Sequence, residues 1–272
     1  MNDGILYPFS PCPISISKDV ESHLRTTIEK GFLMSLPFVD TFVPPYQKWE
    51  MRRPSFEEML SSGNPHMWIR VRLEATVANA HDAATYMGRV GADNGLGDSI
   101  NRALDNSVAY KHWRQAMPSK TPDALSQYQK SYPNCDFAQV SAEIEGIGQV
   151  LSEGQCLFHA GLWPGGDRLT TDRPLSSSFC PQVALRNADH KGKGYDAGRI
   201  DLFVLRATNP RTNVFAYKRK GTNLGHENEV LFAAGANLTL TSSELVNVDY
   251  TAGKYGLPNK QISVRVLAID IS

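Results

Sequence analysis

The sequence predicts an α+β fold in which a mostly helical N-terminal part precedes a strand-rich C-terminal part. Three observations carry that expectation. Apolar residues recur at helical spacing as far as about residue 151. After Gly154, short β-favouring runs recur between turn signals. The 272 residues, 41% of them hydrophobic, suffice to bury a proper core, in one large domain or two small ones. The change of character puts a boundary within residues 117–136, dividing the chain into a helical domain, residues 1–130, and a second domain, residues 131–272.

The first 45 residues are rich in proline (Pro8, Pro11, Pro13, Pro37, Pro44, Pro45) around one amphipathic segment, Lys18 to Leu36, which Ser17 can cap. From Ser55 to Gln115 the pattern reads as helix. It includes a long segment from about Pro65 to Val90 (Met67, Trp68, Val71, Ala75, Ala78, then Ala83 and Met87), and no strand is expected there. The turn-prone stretch Gly91 to Gly97 ends it. Thr121-Pro122 places a cap and a first-turn proline ahead of Leu125, Tyr128 and Tyr132. After Pro133 another helix carries Phe137, Val140, Ile144, Ile147 and Leu151 on one stripe. Strands are then expected at Gln155 to Ala160, Pro174 to Cys180, Ile200 to Ala207, Asn213 to Tyr217, Glu229 to Ala233, Asn237 to Thr241, Leu245 to Tyr250 and Gln261 to Ile271. Only Pro181 to Ala188 reads as helix within this half.

Lys+Arg and Asp+Glu are equal at 28 each, so no global field draws the chain to nucleic acid or to an anionic membrane. No apolar run approaches the roughly 18–20 residues of a membrane helix, and Met1-Asn2-Asp3-Gly4 lacks a signal-peptide layout. A cytoplasmic protein is expected, or one exported by a route that the sequence does not show. Cys12, Cys135, Cys156 and Cys180 are widely spread, without zinc spacing, and read as reduced structural thiols; no metal is expected. Gly88, Gly91, Gly95 and Gly97 make no dinucleotide fingerprint. Lys191-Gly192-Lys193-Gly194-Tyr195 and Lys218-Arg219-Lys220 are short basic segments, solvated faces or contacts for an acidic protein or RNA.

The chemistry centres on Glu227-Asn228-Glu229-Val230-Leu231-Phe232. On a strand, glutamates separated by one residue point the same way, beside an apolar run that anchors them. A solvated strand face has the same look, so the pair matters through what precedes it. Cys156-Leu157-Phe158-His159-Ala160-Gly161 is a strand ending in a histidine and a glycine. Leu175-Ser176-Ser177-Ser178-Phe179 is a hydroxyl-rich strand leading into Pro181. This ordered set, with the helix before it, resembles the mono-ADP-ribosyltransferase family over about residues 137–271. There a basic residue on the first strand is followed by a Ser-Thr-Ser strand and a Glu-x-Glu loop. His159 stands where one branch of the family has arginine. It is the residue type of the diphtheria-toxin and poly-ADP-ribose polymerase branch, which expects a tyrosine where Ser176 stands, so the site would be a hybrid.

The resemblance implies a split β-sheet catalytic domain with NAD as substrate. It implies that Glu229, held by Ser176, stabilises the oxocarbenium-like transition state as nicotinamide leaves, while Glu227 serves the acceptor. His159, Ser176, Ser178, Gly161 and Phe179 would contact NAD. Neutral imidazole lacks the fork of guanidinium, so the pyrophosphate needs a further cation, with Arg168, Arg173 and Arg186 as candidates. Phe158, Trp163 and Phe179 are the aromatics available to stack on nicotinamide. The resemblance further implies a toxin or effector with a macromolecular acceptor, protein (such as an arginine side chain) or RNA, and an antitoxin or immunity protein as candidate partner. An NAD glycohydrolase, or a binding module that keeps the fold without catalysis, are the alternatives.

Overall fold

A computed structural model describes residues 35–64, 66–220 and 224–272. The segment predicted from Lys18 lies outside them except for its last two residues. Residues Ser35–Ser272 form one compact unit.

The first described elements are a two-stranded antiparallel ribbon, β1 (Tyr46–Arg52) and β2 (Ile69–Val77), with the short helix α1 (Phe56–Ser62) between them. β2 corrects the helical expectation for residues 65–90. Ile69, Val71, Leu73, Ala75 and Val77 alternate with Arg70, Arg72 and Glu74, a period of two, whereas the helical reading rests on residues 68, 71, 75 and 78, whose spacings of 3, 4 and 3 place 68 and 78 on the other strand face. Helix follows only from α2 (Ala80–Val90), which buries Ala83, Ala84 and Met87. Next come α3 (Asn94–Asn106), α4 (Val108–Ala116), α5 (Asp123–Ser131) and α6 (Phe137–Ile147). The last two match the predicted stripes, α5 burying Leu125 and Tyr128 and α6 burying Val140 and Ile144. Asp136 caps α6 by accepting from Ala138 N and Gln139 N.

The remaining chain builds a nine-stranded sheet. Its strands are β3 (Gln149–Val150), β4 (Cys156–Gly161), β5 (Arg168–Thr170), β6 (Leu175–Ser178), β7 (Arg199–Ala207), β8 (Asn213–Ala216), β9 (Glu229–Phe232), β10 (Asn237–Ala252) and β11 (Lys260–Ile271). The helices α7 (Pro181–Asp189) and α8 (Lys193–Ala197) interrupt them. The order across the sheet is β3-β8-β9-β6-β4-β7-β11-β10-β5. The two strands expected within residues 237–250 are one long strand, β10, bent by bulges against β11. β7, parallel to β11 and antiparallel to β4, is almost wholly buried, as its run Ile200-Asp201-Leu202-Phe203-Val204-Leu205 requires.

The sheet splits in one place. β4 pairs with β7 over six residues, but with β6 only through Phe158 and Ser178. β6 then pairs with β9 from Leu175–Phe232 to Ser178–Glu229. Beyond their single pair β4 and β6 part, and both line one deep cavity. The fold is thus a mixed α/β architecture with a split sheet.

Candidate functional site

The cavity measures about 1030 Å³ and is lined by His159 and Gly161 from β4, Ser176 from β6, Phe203 from β7 and both Glu227 and Glu229. Each strand end contributes for a local reason. Ser178 pairs with Glu229 across β6 and β9, which carries Glu229 to the start of its strand facing the serine run. Ser176 Oγ donates to Glu229 Oε1 at 2.7 Å. The other carboxylate oxygen, Oε2, accepts from Gln129 Nε2 of α5 at 2.8 Å. Glu229 is only 8% exposed. Burial pushes its pKa up and the nearby Glu227 charge adds to that, while the bonds from Ser176 and Gln129 work against it.

Glu227 reaches the same cavity by a different backbone path. It closes a 3₁₀ turn, Gly225–Glu227, and Asn228 then takes a left-handed conformation, φ 51°, before β9 begins. The two glutamates therefore do not share a strand face, which corrects the strand-alternation reading. Asparagine tolerates this conformation, and side chains pin it. Arg219 Nε donates to Asn228 Oδ1 at 2.6 Å, and Asn228 Nδ2 donates to Asn101 Oδ1 at 3.0 Å. Arg219 also binds Asn101 Oδ1 and Asp105 of α3, so within its basic segment it is an internal strut. Only glycine fits at 225, because a Cβ there would run into the Arg219 carbonyl. Among the described residues no donor engages the Glu227 carboxylate. Burial moves its pKa up, with His226 opposing.

Ser178 is buried. Its hydroxyl donates to the Glu227 carbonyl at 2.5 Å and accepts from Cys180 N at 2.9 Å, so backbone takes up both functions. Ser177 Oγ donates to the Val230 carbonyl at 2.7 Å. The structure does not bring Phe179 to the cavity. Its ring, 2% exposed, packs on Trp113 and Tyr110, with centroids 5.2 and 5.7 Å away. Strand alternation accounts for this, since residue 179 opposes Ser176 and Ser178. Trp163 also stays off the cavity. Its backbone N–H donates to the fully buried Asp201, which Arg265 holds with two bonds of 2.8 Å, and its indole N–H donates to the Gly166 carbonyl.

His159 Nδ1 lies 2.7 Å from the Ser176 carbonyl. A carbonyl only accepts, so Nδ1 carries the proton. Burial pulls the imidazole pKa down, the Ser176 bond opposes it, and the charges of Lys193 and Arg173 reinforce it. The neutral ring keeps Nε2 as an acceptor. A Cβ on Gly161 would press on Nε2 at 3.3 Å, so glycine leaves that nitrogen accessible. Phe203 packs against the ring at 5.3 Å.

Of the three arginines named from sequence, Arg173 lines the cavity, Arg168 is exposed on β5 away from it, and Arg186 donates to Asn94 Oδ1. Lys191 and Lys193 line it too. Among the described residues, no acidic side chain pairs with Arg173, Lys191 or Lys193. Gln129 and Phe203 were not singled out from sequence. Phe203 sits in a run that reads as core, but Gln129 had a signal: it follows Leu125 by four, a polar residue on the apolar stripe of α5.

No protein-family model matches the sequence, and no curated protein matches it significantly. Solved structures do show similarity. One is the enzymatic component C2-I of the C2-toxin from Clostridium botulinum, at 10% identity over 59% of this chain, with a TM-score of 0.37. This chain covers 45% of C2-I, less than half of its length. The Vis toxin, an ADP-ribosyltransferase from Vibrio splendidus, is 14% identical over 71% of this chain and 91% of its own, with a TM-score of 0.36. Plx2a, an ADP-ribosyltransferase toxin from Paenibacillus larvae, is 8% identical over 65% of this chain and 96% of its own, with a TM-score of 0.35. Likenesses this distant say nothing of the chemistry, and the roles of the site residues depend on the geometry.

Proposed function

We propose that this protein cleaves the nicotinamide-ribose bond of NAD and transfers the ADP-ribose to a macromolecular acceptor. The observation that carries the reading is the Ser176-Glu229 bond of 2.7 Å inside a cavity of about 1030 Å³. Small-molecule sites span roughly 300–1,000 Å³, so this one has room for a dinucleotide with part of an acceptor beside it.

As nicotinamide leaves, positive charge develops on the ribose carbon and ring oxygen. A carboxylate that is already fixed and shielded from water stabilises that charge without having to reorganise. Glu229 has that setting, with one donor on each oxygen. His159 Nε2, an acceptor, suits a ribose hydroxyl better than a phosphate. The pyrophosphate then falls to Arg173, Lys191 and Lys193, whose charges no acid neutralises among the described residues. Glu227, with its carboxylate unengaged, takes the acceptor's proton. Ser178 acts on this site indirectly, by holding the Glu227 carbonyl.

In this reading residues 131–272 carry the catalysis, and residues 1–130 serve the acceptor, a partner such as an antitoxin, or regulation. Tyr128 and Gln129 reach into the cavity from the earlier part. A toxin or effector acting in the cytoplasm of the producing or target cell fits these roles. No described helix is long and apolar enough to cross a membrane.

The test is incubation with labelled NAD and cell extract, reading free nicotinamide and acceptor-bound label. Glu229→Gln should abolish nicotinamide release. Glu227→Gln should block transfer and leave some hydrolysis. Protease and nuclease sensitivity of the label then tells a protein acceptor from RNA. Full release by a folded Glu229→Gln variant refutes the site, and a folded wild type that leaves NAD intact is a binding module instead.

A further inference from the structure

The Glu229 carboxylate is held from two elements far apart in the chain. Ser176 on β6 takes Oε1, and Gln129 on α5, one hundred residues away in sequence, takes Oε2. The terminal torsion of a glutamate is broad and roughly two-fold. One donor on one oxygen would leave the carboxylate free to turn about its Cγ–Cδ bond. A second donor on the other oxygen fixes its plane.

The helix that delivers Gln129 is itself fixed. Glu143 of α6 accepts from Leu125 N and Ala124 N at the start of α5. Tyr217, next to the end of β8, donates its hydroxyl to the Leu125 carbonyl at 3.0 Å. Gln129 follows one turn later. No ion pair reaches Glu229 among the described residues, so the two neutral donors are what oppose the burial and the Glu227 charge that favour its protonation.

We propose that Gln129 is a positioning residue for the reaction, clamping the second oxygen of Glu229 so that the plane of the carboxylate is set toward the ribose. This rests on the reading of the cavity as a site of NAD cleavage. It adds a role for α5 that the resemblance to ADP-ribosyltransferases did not include.

Two variants test it. Gln129→Met keeps the side chain's length and removes the donor; Gln129→Lys keeps a donor and adds charge. For Gln129→Met, kcat for nicotinamide release should fall about tenfold or more, with KM for NAD within about twofold of wild type. The acid limb of its pH profile should move up by about one pH unit, as expected when a carboxylate loses a hydrogen bond. Gln129→Lys should move the same limb down. A role in folding alone would lower the melting temperature without moving the limb.

A second readout is independent of activity: titration of the Glu229 carboxyl carbon by ¹³C NMR, assigned by its loss in Glu229→Gln. An upward shift in Gln129→Met supports the clamp, and an unmoved titration in a folded Gln129→Met overturns it whatever the activity. If the titration moves but the wild type releases no nicotinamide, the clamp stands and NAD cleavage is what fails.

Discussion

Ser176 and Ser178 lie two residues apart on one strand and should fail in different ways when each is changed to alanine. Ser176 donates to a carboxylate oxygen of Glu229, whereas Ser178 bonds only backbone, the Glu227 carbonyl and Cys180 N. A hydrogen bond to a charged group contributes about 1.5–3 kcal/mol. At about 1.36 kcal/mol per factor of ten, Ser176→Ala should lower turnover of NAD by about 10- to 150-fold. Its melting temperature should fall as well, because the same bond holds a buried carboxylate, but the loss of turnover marks it out. Ser178→Ala strands two buried backbone groups at about 1–3 kcal/mol each. With roughly 2–4 °C per kcal/mol for a chain near this size, melting should fall by at least about 4 °C. Steady-state nicotinamide release and a thermal melt on the same samples separate the two effects. A Ser178→Ala protein that melts like wild type, or a Ser176→Ala protein that loses only stability, would refute the division of roles.

Glu229→Gln should melt higher than wild type, and the gain should depend on pH. Burial raises the folded-state pKa of Glu229. Between the unfolded carboxylate value and that raised value the native state therefore binds the extra proton, and wild-type stability declines as pH rises through the window. The variant is spared the decline, so the gap should open with rising pH and be absent below the window; a constant gap would show that ionisation is not its cause. NAD cleavage by the wild type should rise across the same window. Arg173→Ala and Lys193→Ala should each raise KM for NAD by about tenfold and leave kcat nearly unchanged, as for a lost phosphate contact. An unaltered KM in both would move the pyrophosphate elsewhere.

Much of the fold is legible where one side of an element is apolar. Leu125 and Tyr128, and then Phe137, Val140, Ile144 and Ile147, mark α5 and α6 through a 3.6-residue period that no strand satisfies. Residues 69–77 do not announce a strand, because β2 has little of itself buried and its apolar residues mark no core-facing side. At the site, the order of His159, Ser176 and Glu229 is visible in the chain because each sits on its own short strand. What joins them is not, since β6 and β9 become neighbours only through the sheet order. Gln129 and Asn101 escape for the same reason, as each acts on a residue about a hundred positions away or more. Ser178 shows the limit of alternation. It faces the side that alternation gives it, yet the turn carrying Glu227 arrives to occupy its hydroxyl.

That turn yields the sharpest separation of the two glutamates. Asn228 sits between them with φ 51°, a conformation that costs an ordinary L-residue about 1–2 kcal/mol and glycine almost nothing. Asn228→Gly therefore keeps the backbone comfortable and removes only the bonds to Arg219 and Asn101. Asn228→Ala loses those bonds and adds the strain. Glu229 has supports of its own in Ser176 and Gln129, whereas the Glu227 carboxylate has none among the described residues and depends on the turn. Asn228→Gly should thus impair transfer to the acceptor more than nicotinamide release, measured on one sample. Asn228→Ala should add a loss of melting temperature to the same defect. Equal loss of both activities in the glycine variant would mean that the turn positions the pair as one unit, and that the two carboxylates do not have separate tasks.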